Sequence, residues 1–206
     1  MLEMVINARE ADLCHGLKVR RLLPFARRRS VGPFVFLDHA GPVPLPAEYD
    51  RKADVRPHPH IGIATITYWF EGEIMHRDSL GVVQPIQAGA VNLMVAGRGI
   101  VHSERTPDDL RQVQRRSHGL QLWSALPVAD EELEASFVHT PALDIPVVDA
   151  DGATVRVLIG QAYGRTSPVT TRSPTLYLDI ALRAGAQLKL PLAAERALYA
   201  VDAPFM

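Results

Sequence analysis

Nowhere in this chain does an apolar repeat of about 3.6 residues persist, so long amphipathic helices are not expected. Short runs rich in β-branched and aromatic residues are cut apart by glycine and proline instead, as in ATITYWFEG over 64–72. The 16 prolines and 14 glycines are spread along the 206 residues rather than gathered into a linker, so they punctuate many short strands. Strands recurring every roughly 8–12 residues between such breaks indicate a barrel or jelly roll. The expected fold class is all-β.

The length suits one large domain or two small ones, each able to bury a core. Strands are expected at 15–25, over VGPFVFLDHAGP (31–42, closed by its Gly and Pro), at 64–72 and over EIMHRDSLG with a turn at Gly81. PIQAGAVNLMVAGRGIVHSE reads as turn, strand, tight Gly97-Arg98-Gly99 loop and strand. SHGLQLWSALP (117–127) is expected to close a first unit, and DEELEASF (130–137) to form an acidic, helical connector. A second β-rich unit follows through TVRVLIGQ, TLYLDIALRAGAQLKLPL and RALYAVD. The domains expected are therefore 1–127 and 128–206.

A net charge of −1 gives no electrostatic reason to expect nucleic acid or an anionic membrane as partner. No apolar stretch approaches the roughly 20 residues of a spanning helix. The acidic start MLEMVINAREADL does not resemble a secretory signal. One cysteine, Cys14, cannot form an internal disulfide, which fits a reducing cytoplasm.

Chemistry concentrates in two pairs, His58 and His60 in RPHPHIG and His102 and Glu104 in GIVHSER. Residues i and i+2 of a strand face the same way, so each pair presents two donors side by side. Three imidazoles and a carboxylate suit a first-row divalent metal. Four protein ligands could close a tetrahedral zinc site, whereas an octahedral iron site would keep two positions open.

The segments PHPHIGIATITYWFEGEIMHRDSLG and AGAVNLMVAGRGIVHSE, with VGPFVFLDHAGP, HGLQLWSALP and VRVLIGQAYGRTSPV, resemble the pirin family of the cupin superfamily. The resemblance covers nearly all of residues 15–200. It implies a bicupin: a jelly-roll barrel holding one metal, followed by a second cupin that is incomplete here. The ligands implied are His58, His60, His102 and Glu104, with iron(II) the family's usual metal and manganese, nickel, copper or zinc also compatible. Other cupins place a glutamate four residues after the second histidine; here that residue is Ala64, and Glu104 supplies the carboxylate.

Two kinds of function follow from the resemblance. One is a quercetin 2,3-dioxygenase, acting on a flavonol-like molecule with dioxygen and releasing carbon monoxide, with Glu104 as the catalytic base. Trp69, Phe70 and Met94 are candidates for its apolar walls. The other is an iron- or redox-responsive regulator that binds a protein partner without turnover, or an inactive shortened relative. His76 reads equally as a hydrogen-bond partner of the metal site or as a turn histidine satisfied by Asp78 or Ser79. Asp38-His39 reads as strand-end structure ahead of a metal support, His118 and Trp123 as packing between units, and the Arg27–Arg29 run as a solvated edge. Gly97-Arg98-Gly99 lacks the helix start and Lys-Ser/Thr pair of a phosphate cradle, and nothing near Cys14 activates it.

Overall fold

A computed structural model describes residues 2–13, 18–48, 51 and 54–202; Cys14 and the end of the chain at Phe205-Met206 lie outside them. In chain order the strands are β1 (Arg9–Asp12), β2 (Lys18–Leu23), β3 (Phe34–Leu45), β4 (Val55–His60), β5 (Ile63–Glu71) and β6 (Glu73–Asp78). They continue as β7 (Val83–Gln87), β8 (Val91–Val95), β9 (Ile100–Arg105), β10 (Arg115–Ala125) and β11 (Ser136–Thr140). The last are β12 (Val147–Ala150), β13 (Ala153–Ile159), β14 (Gln161–Ala162), β15 (Arg165–Thr166) and β16 (Tyr177–Leu182). The all-β expectation is met. Among the described residues no helix is long and apolar enough to cross a membrane.

Two antiparallel sheets build the first unit. One has the order β1-β2-β3-β10-β5-β8-β11 and the other β4-β9-β6-β7. Their inner faces meet where Met94 and Ala96 pack with Ile100, and where the His60 ring stands edge-on to Trp123, centroids 5.1 Å apart. Alternation along β5 decides what goes where. Ala64, Ile66 and Tyr68 join Val91, Leu93, Leu120 and Leu122 in a core that also takes Ile145, Leu158 and Ile159 from the later chain. The opposite residues, Thr65, Thr67 and Trp69, look across to the four-stranded sheet. Strands β12, β13 and β16 form a three-stranded sheet, and β14 and β15 a short ribbon.

Four expectations need correction. β3 does not stop at Gly41-Pro42 but runs on to Leu45. Gly41 makes this possible, because at φ +73° a Cβ would lie 2.1 Å from the Ser117 carbonyl oxygen. The acidic connector is not helical: a single 3-10 turn at Val128–Asp130 is followed by β11, which pairs with β8 from Ser136 opposite Val95 to Thr140 opposite Val91. Residues 117–125 of SHGLQLWSALP lie in β10, which is thus a central strand rather than the last. Finally, residues 183–202, including the expected strand RALYAVD, carry no strand.

The tightest approach in the barrel is at Gly119 of β10. A Cβ built there would sit 1.6 Å from the Trp69 ring, so the indole lies flat over bare backbone. This spends the glycine's freedom on packing rather than on a turn.

Candidate metal centre

The four-stranded sheet brings the two sequence pairs together. In the β4–β9 ladder His58 lies directly opposite His102, and Val55 opposite Glu104. The ring centroids of His58, His60 and His102 are 4.4–4.9 Å apart. One ligating atom from each lies within 4.8 Å of the other two. Glu104 is beside this group but not within it: its Oε1 is 3.6 Å from His102 Nδ1.

Electrostatics favour neutral donors. Burial, with the charge of His58 second, lowers the His60 pKa from 6.5 to about 4. Burial and the surrounding imidazoles push His102 far down as well. Burial pushes Glu104 the other way, above the ordinary carboxylate range, with His58 partly opposing it.

The donor set fits a divalent cation. His58 Nδ1 is 2.9 Å from the Arg56 carbonyl oxygen, which can only accept, so the proton is on Nδ1 and Nε2 keeps its lone pair. Buried His102 Nε2 and Glu104 Oε2 have no hydrogen-bond partner. Orphaned buried acceptors are costly unless something positive satisfies them. A cation ligated by imidazole and carboxylate would do so.

A third pair, His76 and Asp78, lies on the same face. On β6, His76 sits opposite Glu104 and Asp78 opposite His102. His76 Nε2 is 3.0 Å from Asp78 Oδ2, and its Nδ1 is 3.4 Å from His102 Nδ1. The two readings of His76 therefore hold together. The signal was present: HRD repeats the i, i+2 spacing of HPH and HSE.

Other candidates fall elsewhere. Trp123 is not packed between units; it stacks on Phe36 at 4.1 Å and borders His60. Trp69 and Met94 share that inner face, whereas Phe70 packs on the opposite core. A polar row unremarked in the sequence crosses the inner face, with Asp38, Gln121, Thr67, Asn92 and His139 in register. Thr67 donates to Gln121 at 2.8 Å, and His139 Nδ1 meets the Asn92 amide oxygen at 2.6 Å. Asn92 Nδ2 and Trp69 Nε1 remain buried donors without partners. Arg28 of the arginine run pairs with Glu3 and Glu195, and Arg98 of the Gly-Arg-Gly loop with Glu134.

Asp38 and His39 are clear of the metal cluster. Asp38 takes a two-pronged ion pair from Arg21, both contacts 2.8 Å. His39 meets His118 Nε2 at 2.7 Å and the Tyr199 hydroxyl at 2.5 Å. Burial, then Arg20 and His118, lowers the His39 pKa to about 4. An unfolded imidazole takes its proton near 6.5, so between these values the unfolded state binds more protons and stability is lost as the pH is lowered. Glu104, with its raised pKa, works in the opposite direction. Because His39, His60, His76, His102, His118 and His139 are all lowered, the histidines prevail. The metal-free protein is expected to have a clearly lower denaturation midpoint at pH 4.5 than at pH 7.5, with a shallower decline in His39→Asn. Equal midpoints at the two pH values would contradict this.

An antiparallel jelly roll that gathers histidines from facing strands onto one interior face defines a metal-binding cupin. A family model described as Pirin matches residues 16–124. The Pirin-like protein of Caulobacter vibrioides is 46% identical over 202 residues, covering 97% of this chain and 69% of that protein. Human Pirin is 34% identical over 188 residues, covering 91% of this chain and 61% of its own. The crystal structure of quercetin 2,3-dioxygenase from Acinetobacter baumannii matches with a TM-score of 0.79 at 42% identity, over 85% of this chain and 56% of that one. The chain belongs to the pirin family. It spans about three fifths of the length of these relatives, between 56% and 69%.

Proposed function

We propose that this chain is the metal-binding part of a mononuclear iron dioxygenase of quercetin 2,3-dioxygenase type, with His58, His60, His102 and Glu104 as ligands. The observation that carries the reading is the cluster of three imidazoles beside a buried carboxylate with an unsatisfied oxygen. The likeness to a quercetin 2,3-dioxygenase supports the substrate class. When bound, iron(II) supplies a positive centre for a flavonol oxygen and an electron partner for dioxygen.

The protein's own groups do the rest. Glu104, with Oε2 buried and unpartnered beside the cluster, is the carboxylate placed to take the flavonol hydroxyl proton. Trp123, stacked on Phe36 and edge-on to His60, offers an aromatic surface beside the cluster. Trp69 Nε1 and Asn92 Nδ2 are free to donate to the hydroxyl and carbonyl oxygens of a polyphenol.

The test is to purify the protein, measure its bound metal, and follow the flavonol absorbance band in air. Stoichiometric iron and loss of the band in wild type, with at least a 100-fold slower loss in His58→Ala, are expected. Bound iron without turnover would replace the enzyme with the redox-responsive regulator. Stoichiometric zinc with no open position would remove both.

A further inference from the structure

We propose that His76 and Asp78 are positioning residues that hold His102 as its Nδ1–H tautomer, keeping the Nε2 lone pair free for a metal. This rests on the reading that the three clustered histidines are ligands.

The argument starts at Asp78. Its Oδ1 accepts the backbone N–H groups of Leu80 at 2.9 Å and Val82 at 3.1 Å. That commits one oxygen to the β6–β7 turn and leaves Oδ2 to accept from His76 Nε2 at 3.0 Å. A neutral imidazole protonated at Nε2 has its lone pair at Nδ1. That atom faces His102 Nδ1 at 3.4 Å, so His102 is the donor and its proton is on Nδ1. The other neighbour of His102 Nδ1, Glu104 Oε1 at 3.6 Å, also calls for a proton there. Phe137 stacks on the His76 ring at 4.3 Å with a 22° tilt, which resists rotation of the imidazole. His102 Nε2 is left buried and without a protein partner, as a ligand atom should be. His58 is held in the same tautomer by the Arg56 carbonyl, so two ligands share one logic by different means.

Asp78→Asn tests this sharply, because the substitution has one sensible orientation. Its amide oxygen must stay on the Leu80 and Val82 N–H groups, so its NH2 turns to His76 Nε2. His76 then needs its proton on Nδ1, pointing at His102 Nδ1. The proton of His102 moves to Nε2, and the lone pair is lost to the metal.

The experiment uses metal-free protein with 15N-labelled histidine at mildly alkaline pH, where long-range proton–nitrogen correlations distinguish the tautomers. Wild type should show Nδ1–H at His102 and Nε2–H at His76, and Asp78→Asn should reverse both. Nickel(II) titration should show affinity about 10- to 100-fold weaker in Asp78→Asn. His76→Phe, which keeps the ring on Phe137 but has no acceptor, should weaken nickel similarly, and His76→Gln should recover part of the loss. Nε2–H at His102 in wild type would overturn the proposal even if the variants failed to fold. So would an unchanged tautomer and nickel affinity in folded Asp78→Asn. If wild type has the stated tautomers but takes up no metal, the dioxygenase reading fails and this relation stands.

Discussion

Replacing His102 with alanine is expected to leave a folded protein that no longer retains a stoichiometric metal ion. His102 is the hub of the cluster, opposite His58 in the β4–β9 ladder and with ring centroids 4.4 Å from His58, 4.9 Å from His60 and 5.1 Å from His76. Without it the cluster loses one of its three imidazoles. Loss of an outer hydrogen-bonding partner alone weakens metal binding by about 10- to 100-fold. Loss of the ligand itself should exceed that.

Fold stability should move differently. The His102 imidazole is buried with an unsatisfied nitrogen, so its removal relieves a desolvation cost while opening a small void. The metal-free variant should therefore melt within a few degrees of metal-free wild type. Wild type should gain about 2.7 kcal/mol at a metal concentration of 100 times Kd, and the variant almost nothing. Metal content after dialysis and melting curves with and without metal would check both parts. His118→Ala serves as the control, being a buried histidine that faces His39 instead of the cluster. Full metal retention in His102→Ala would refute the site.

Leu158→Ala is expected to show the reverse pattern, a large stability loss with metal binding kept. Leu158 on β13 is fully buried in the core shared with Ile66, Val91, Leu120 and Leu122 of the barrel. The register shift between Val157 and Ile159 in the β13–β16 ladder lets neighbouring residues there all be buried. Truncating such a leucine costs about 2–5 kcal/mol, because the transfer energy and a cavity are lost together. For a chain of this size that is roughly a 5–15 °C fall in Tm. The side chain is on the face of the seven-stranded sheet away from the histidine cluster. A metal content per folded chain equal to wild type, with a sharply lower Tm, is the expected signature. A Tm change under about 1 °C would mean that this core does not stabilise the packing of β13 against the barrel.

Much of the site was legible because its logic is local. HPH and HSE each lie in a strand, and the two-residue repeat puts both members of a pair on one face wherever that strand goes. The third pair, His76 and Asp78, obeys the same rule, yet its turn context hid it: Asp78 does cap the turn, and nothing in HRDSLG says that its second oxygen serves His76. Trp69 and Phe70 had to face opposite ways, but neighbouring residues do not say which side is the barrel interior. The acidic stretch before β11 suggested a helix on composition, but only a 3-10 turn forms at its start, and β8 supplies the ladder that makes Ser136–Thr140 a strand. RALYAVD has strand composition but no ladder among the described residues, and Tyr199 within it instead meets His39.

What the amino-acid order determined by itself was the β class and the same-face geometry of the two donor pairs, both consequences of backbone periodicity. What only the tertiary structure decided was which strands are neighbours. It put His58 opposite His102, brought β6 alongside with a second histidine–carboxylate pair, and turned Trp123 toward the cluster. Register between strands distant in the chain is set by the burial of whole faces against one another, a collective quantity that no short motif carries.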